Sequence, residues 1–389
     1  MNELKQVKTF VHCAVLVSCI ALTTGCNAIS GILPKQNTSQ PPATSPSQTT
    51  EPGQTTPTAP TNDTTQWVKL PIKQINGANM VSLQQLAKVG NFSPKIDQFE
   101  GTVAFSYLGQ SIEFLKGSPT VSINGLFESV PASPVFEKAD VYIPVDFVAT
   151  TIGDEMSAFD ANKQTLLIDP KSNQAVPVNA SKREINLDQA KASELITYLN
   201  FLELPLKGAK VSTRDSQMPN APRPYRNGTH EGLDWYEGSS GPNIAVGTPV
   251  YSMSDGKVVR SDLGYQELSL AARDEILKIS AESPRTPLWI LDKLRGRTVW
   301  VQYDHGVMVR YAHLNDIPKT IVPGVTVKKG QLIGYVGNSG TSYGVEKSKE
   351  GAHLHSDILI YGELFWKKLN KQEIRHVLEA VFNTPPIKK

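Results

Sequence analysis

Cysteine is nearly absent from this sequence, and its placement excludes a good deal. The chain of 389 residues holds 3 cysteines, Cys13, Cys19 and Cys26. All lie close to the N-terminus, so the remainder can build neither a disulfide framework nor a thiolate metal site. An excess of charge of one sign is also missing: Lys+Arg number 39 against 37 Asp+Glu, for a net +2. No block of Lys and Arg forms an electrostatic footprint for nucleic acid. Long apolar runs are lacking outside the first 25 residues, and histidine is scarce at 7. What is present is a hydrophobic fraction of 39%, ordinary for a soluble globular protein with a sizeable core. The length suggests two or three domains.

The one apolar run, "FVHCAVLVSCIAL", follows Lys5 and Lys8 and precedes "TTG" and Cys26. A basic start, a short apolar stretch and small residues before a cleavage point describe a secretory signal over residues 1–25. The ending "LTTGC" resembles the lipobox of bacterial lipoproteins, in which the cysteine becomes the lipidated first residue. That resemblance implies lipidation at Cys26 and an anchor on the outer face of the cell membrane of a Gram-positive bacterium. It departs from the usual pattern in carrying Thr23 three before the cysteine, with Leu22 one further back. Residues 26–66 are rich in Ser, Thr, Pro, Gln and Asn and cannot bury enough apolar surface to offset their ordering entropy. They read as a tether with a reach on the order of 35 Å if coil-like.

Residues 67–170 contain an internal repeat. "VSLQQLAKVGNFSPKIDQFEGTVAFS" (81–106) aligns with "IPVDFVATTIGDEMSAFDANKQTLLID" (143–169), pairing Gly90 with Gly153 and Asp97 with Asp160. Each copy predicts a short helix, a glycine turn and two strands. The piece between them alternates like a hairpin around Lys116-Gly117-Ser118. The segment resembles the domain named after the N-terminal part of copper amine oxidases, a stalk in Gram-positive surface proteins. It holds no His and no Cys, which argues against copper and for a spacer or wall-facing module.

Residues 171–389 carry the chemistry. A helix is expected over 187–204, a loop over 205–229, and then short strands with turns at Asp255-Gly256 and Asp304-His305-Gly306. That pattern predicts an antiparallel β core, interrupted by a helical insertion over 263–294. The fold class expected for the chain is therefore mainly β with α insertions (α+β), the C-terminal sheet forming a cleft. In "GAHLHSD" (351–357), His353 and His355 stand two apart on a predicted strand, so both project from one face about 7 Å apart. A solvent-facing pair gives no reason for two imidazoles, and an apolar face imposes two desolvation penalties. A shared polar cleft fits best. "RNGTHEGLDWYEG" adds His230 and Asp234, and "VRYAHLND" adds His313. Histidine with carboxylate is the usual donor set of a catalytic zinc with an open fourth position.

Together, "THEGLDW", "YAHL", "GQLIGYVGNSGTS" and "AHLHSDI" resemble the lysostaphin-type zinc endopeptidases, which include the LytM-like cell-wall hydrolases. The resemblance spans roughly 210–365 with the motifs in family order. It implies one Zn²⁺ per chain, held by His230, Asp234 and His355. It further implies that His353 activates the attacking water and that His313 stabilises the oxyanion. The implied substrate is a peptidoglycan peptide, in the stem or the cross-bridge. One departure stands out: the family commonly has an aromatic residue and Glu after the second histidine of H-x-H, where this chain has Ser356 and Asp357. A different class of function remains open, a non-catalytic wall-binding or morphogenetic scaffold using the same cleft, as does trimming of a protein substrate. His305 reads as a turn residue and His376 as part of an amphipathic helix face. The loop 337–351 and the insertion 263–294 are candidate cleft walls, and Arg226 and Asn227 candidate groove residues.

Overall fold

The computed structural model describes residues 67–152, 157–160, 165–168 and 183–383. The expected signal, the tether and Cys26 lie outside the described residues. The fold is mainly β with helical insertions, an α+β architecture with an antiparallel C-terminal sheet. The described residues belong to one compact unit.

In the N-terminal part both repeat copies take the predicted order. Helix Leu83–Gly90 is followed by strands Lys95–Asp97 and Thr102–Tyr107, and helix Val145–Ile152 by Ser157–Asp160 and Thr165–Ile168. The first helix starts where Ser82 Oγ accepts from the Gln85 amide at 3.1 Å, and ends at Asn91 in the left-handed region, φ 49°, both ordinary cap chemistries. The linking piece forms the expected hairpin, Gln110–Leu115 against Thr120–Ile123. Alternating residues of these strands, among them Val103, Phe105, Ile112, Phe114 and Ile143, close a core of their own.

In the C-terminal part, seven strands form one antiparallel sheet. Its order runs Leu233–Tyr236, His353–Ile360, Val307–Ala312, Val299–Tyr303, Gly256–Ser261 and Thr326–Val327, with Glu363–Leu364 paired to His353–Ile360. Three more strands, Pro249–Tyr251, Leu332–Val336 and Leu314–Asp316, form a second sheet. Trp235, Val301, Val309, Leu354 and Ile358 fill the main core. The turn at Asp304-His305-Gly306 closes a hairpin as expected, with His305 at φ 56° and Gly306 at φ 67°.

Two expectations are corrected. Asp255-Gly256 does not close a hairpin: Pro249–Tyr251 pairs with Leu332–Val336, whereas Gly256–Ser261 pairs with Val299–Tyr303. The intervening residues cross between sheets, held by the Met253 amide donating to the hydroxyls of Tyr303 (3.1 Å) and Tyr311 (2.9 Å). The helix expected over 187–204 covers only Ala192–Leu199. Asn186 closes a turn ahead of it by accepting from the Asp188 amide at 3.0 Å, and beyond it Glu203 N bonds Met253 O at 2.8 Å, drawing the chain onto the sheet.

The insertion forms helices Leu270–Glu282 and Leu288–Leu294 between the paired strands Gly256–Ser261 and Val299–Tyr303. The N-terminal part packs against this region. Glu100 accepts from the Leu288 amide at 2.9 Å and pairs with Arg285. Phe127 meets Trp300 edge-on at 5.9 Å, and the Arg310 guanidinium stacks on Trp300 at 4.3 Å with Phe127 at 5.5 Å. Gly125, at φ 87°, abuts the Tyr361 carbonyl so closely that any Cβ would overlap it. Removing the Phe127 ring exposes Trp300 and Arg310. Phe127→Ala is expected to lower unfolding free energy by about 2 kcal/mol, less than a fully buried Phe because the ring is half-buried. Urea denaturation measures it.

Candidate metal centre

The site is assembled by strand register. Asp234 is paired with His355 across the antiparallel ladder, and Tyr236 with His353. Because side chains alternate along a strand, His353, His355 and Asp357 share a face. On the other flank Ala312 pairs with His355, so His313 follows at the strand end. His230 enters from the loop ahead of Leu233–Tyr236, fixed by its amide donating to Ala221 O at 2.8 Å. Gly232 allows the approach, since a Cβ there would fall on the Ser356 carbonyl.

His230, Asp234 and His355 are all buried, and their ligand atoms lie within 4.8 Å of one another. His230 Nε2 is 2.9 Å from Asp234 Oδ1 and 3.0 Å from His355 Nδ1, and His355 Nδ1 is 2.8 Å from Asp234 Oδ1. The outer ring nitrogens fix what these atoms carry. His230 Nδ1 donates to Met218 O at 2.9 Å, and His355 Nε2 donates to Asp357 Oδ1 at 2.6 Å. In the neutral rings, Nε2 of His230 and Nδ1 of His355 therefore hold lone pairs directed at the same place as a carboxylate oxygen. Three lone pairs converging in a buried space repel unless a cation sits among them. Two imidazoles and one carboxylate fit zinc, with carboxylate–histidine support behind a ligand.

The electrostatics agree. Burial opposes charge on Asp234, yet His230 and His353 hold its carboxyl well below the usual range. Burial also opposes charge on His355, but Asp357 and Asp234 push it up to about 9. A proton thus takes the place that a cation would fill. Asp357 is itself held below the ordinary carboxylate range: burial raises it, but Arg295 and His355 outweigh that. Arg295 Nε donates to Asp357 Oδ2 at 2.8 Å. The Ser356-Asp357 departure therefore leaves His355 well supported, by Asp357 in place of Glu, while Ser356 Oγ accepts from Trp235 Nε1 at 2.9 Å.

His353 and His313 flank the cluster. His353 Nδ1 donates to Gly351 O at 2.7 Å, and its Nε2 lies 3.7 Å from Asp234 Oδ1. Tyr236 stacks on its ring at 4.2 Å, 10° from parallel. His313 stands in the left-handed region at φ 60°, its Nδ1 donates to Ser339 O at 2.8 Å, and its ring is 4.7 Å from that of His353. Burial pulls both rings below the usual histidine value, most strongly at His313, where His353 and His355 add to it. Both are neutral near pH 7, with Nε2 as acceptor.

All five residues line one cleft of about 870 Å³. Gly340, Thr341, Ser342 and Tyr343 of the loop 337–351 wall it, as do Arg273, Leu277 and Leu291 of the insertion, so both expected walls are present. Arg226 also lines it, but its guanidinium is committed to Glu231 at 2.8 Å and Thr229 O at 2.6 Å. Asn227 is not a groove residue: it sits at φ 50° and its amide donates to Ser283 O at 2.6 Å. His305 lies apart, 2.7 Å from Glu184, and His376 lies on helix Lys371–Phe382. Sequence reasoning missed Arg223, whose Nη2 is 3.4 Å from Asp234 Oδ2, and Arg295. Asp357 was legible as the third member of an alternating H-x-H-x-D; Arg295, distant in sequence, left no signal.

Two outcomes follow. At pH 7 the metal-free protein holds a proton on His355 that zinc must displace. Zinc uptake should release about one proton at pH 7, and progressively less as pH rises through 9, as read by calorimetry in buffers of different ionisation enthalpy. Asp357→Asn should weaken zinc binding roughly 10- to 100-fold, by competition with a chromophoric chelator.

No curated protein matches the chain. Similar solved structures include Csd3 from Helicobacter pylori, at 15% identity over 68% of this chain and 42% of that one, TM-score 0.24. A zinc-containing peptidase from Vibrio cholerae matches at 16% over 68% and 48%, TM-score 0.24. The catalytic domain of the antimicrobial peptidase lysostaphin from Staphylococcus simulans matches at 18% over 43% and 86%, TM-score 0.22. The chain spans less than half the length of the first two. Two family models match: that of Peptidase family M23 over residues 228–365, and that of the copper amine oxidase N-terminal domain over residues 62–168.

Proposed function

We propose that this protein is a zinc metalloendopeptidase that hydrolyses peptide bonds in peptidoglycan, held outside the cell membrane by lipid on Cys26. The observation that carries the reading is the convergence of three buried lone pairs, from His230, Asp234 and His355, beside two neutral histidines whose Nε2 atoms have no hydrogen-bond partner among the described residues. The M23 family match supports peptidase chemistry.

Bound zinc would polarise the scissile carbonyl and make a water acidic enough to attack near neutral pH. The chain's own residues do the rest. His353, its ring plane set by Tyr236 and its Nδ1 by Gly351 O, takes the water's proton at Nε2 and delivers it to the departing amine. His313 cannot donate from Nε2 while neutral, because its one proton is committed to Ser339 O. It would donate to the oxyanion from Nε2 only when doubly protonated, with the second proton taken from solvent water in the cleft and returned to it as the oxyanion collapses. The tether supports action on wall material at a distance from the membrane.

Purified wall sacculi and metal analysis test the reading. Zinc-loaded protein should release new amino termini from stem or bridge peptides, and a chelator should stop it. Asp234→Ala should lose both zinc and release. His353→Ala should keep zinc but lose roughly 10²- to 10⁴-fold in turnover. Digestion by His353→Ala at the parent's rate would sink the base assignment. Wall binding without release by the zinc-loaded parent would favour a scaffold.

A further inference from the structure

Five arginines line the cleft, and most already have acidic partners. Arg226 is bound to Glu231 at 2.8 Å, Arg295 to Asp357 at 2.8 Å, and Arg223 faces Asp234 at 3.4 Å. Arg214 is exposed. Arg273 differs from all of these. It is only 8% exposed, yet among the described residues it forms no ion pair, and its side chain's sole hydrogen bond is a long one from Nε to Gly340 O at 3.4 Å. Buried cations are ordinarily paired, because an unpaired one forfeits hydration without compensation.

Helix Leu270–Glu282 fixes this guanidinium in place. Its buried face consists of Arg273, Ile276 and Ser280, spaced as one helical stripe. Ser269 caps the helix by accepting from the Ala272 amide at 3.2 Å, and Ser280 Oγ donates to Arg226 O at 2.6 Å, docking the stripe onto the cleft wall. Arg273 thus occupies a core position on a packed helix while lining the same cavity as His230, Asp234 and His355. Its planar fork is suited to two parallel hydrogen bonds with a carboxylate.

We propose that Arg273 is a specificity-determining residue that receives a free carboxylate of the substrate, so that the cleft selects acidic peptides over their amidated counterparts. The inference rests on the peptidase reading for its substrate and adds which chemical form of the peptide is taken. Arg273 belongs to the insertion, outside the motifs that supply the metal donors, so selection and catalysis are separable.

The test uses the full zinc-loaded chain and synthetic stem peptides in which each free carboxylate in turn is replaced by a carboxamide. One carboxylate should matter: its amidation should lower both binding and kcat/KM roughly 10- to 100-fold, the range of a charge-assisted hydrogen-bonded pair. Arg273→Ala should lose that preference, with the amidated peptide cut within about threefold of the parent rate. Arg273→Lys should recover part of the preference and Arg273→Gln none. Zinc content and melting temperature are measured for each variant, and if Ala fails to fold, the Lys and Gln variants decide. Equal handling of acid and amide by the parent overturns the proposal, as does an equal loss on both in a folded Arg273 variant. If the acid form binds preferentially but no bond is cut, the peptidase reading fails and the subsite stands. If no peptide binds, both fall.

Discussion

The site rests on one constraint: three lone pairs are forced together among buried side chains at the edge of the cleft. Neither carboxylate nor imidazole would gather this way for packing, because burying each costs hydration. The sheet imposes the arrangement through register. Asp234 and His355 are cross-strand partners, and a slip of one residue would turn every member of the face toward the core. Burial of Trp235 and Leu354 on the opposite face makes that slip costly. The hydrophobic core thus does more than stabilise the domain; it holds the alternation that keeps the donors on one side.

The same logic extends outward through Arg295. Its side chain bonds Asp357, which bonds His355, and its backbone carbonyl accepts from the His313 amide at 2.9 Å. Arg295 follows directly on helix Leu288–Leu294, whose first amide is met by Glu100 of the N-terminal part. A carboxylate at a helix start complements the dipole. One short helix therefore connects the small N-terminal sheet region to both sides of the candidate metal centre. The N-terminal part braces the cleft wall in this arrangement, whatever else it touches.

The members of the candidate donor set could be singled out because their spacing is short and local. H-x-H on a strand and H-x-x-x-D with an intervening glycine each specify a shared direction without tertiary knowledge. The repeat in the N-terminal part was legible for the same reason, its helix, turn and strands recurring in order. The Asp255-Gly256 turn misled because a local turn signal cannot report which sheet each flanking strand joins. That was decided by the hydroxyls of Tyr303 and Tyr311, some fifty residues on. Arg295 and Arg273 were invisible for a related reason. Nothing in a helical stripe distinguishes an arginine that snorkels to solvent from one held inside a cleft until the opposing wall is known.

The contrast between His353 and His355 shows where the chemistry is set. They stand two residues apart on one strand face and are equally buried. Yet one is shifted down and the other up to about 9. What differs is the group anchoring the outer nitrogen. His355 donates to a carboxylate, which favours positive charge on or beside the ring and so suits a metal donor. His353 donates to the neutral carbonyl of Gly351, which orients the ring while leaving burial to keep it uncharged and able to accept a proton. His313 has the same kind of carbonyl anchor, from Ser339. Both carbonyls belong to the loop between strands Leu332–Val336 and His353–Ile360. The sheet thus brings the histidines together, and the loop beside them determines which keep an uncharged ring with Nε2 unbonded among the described residues.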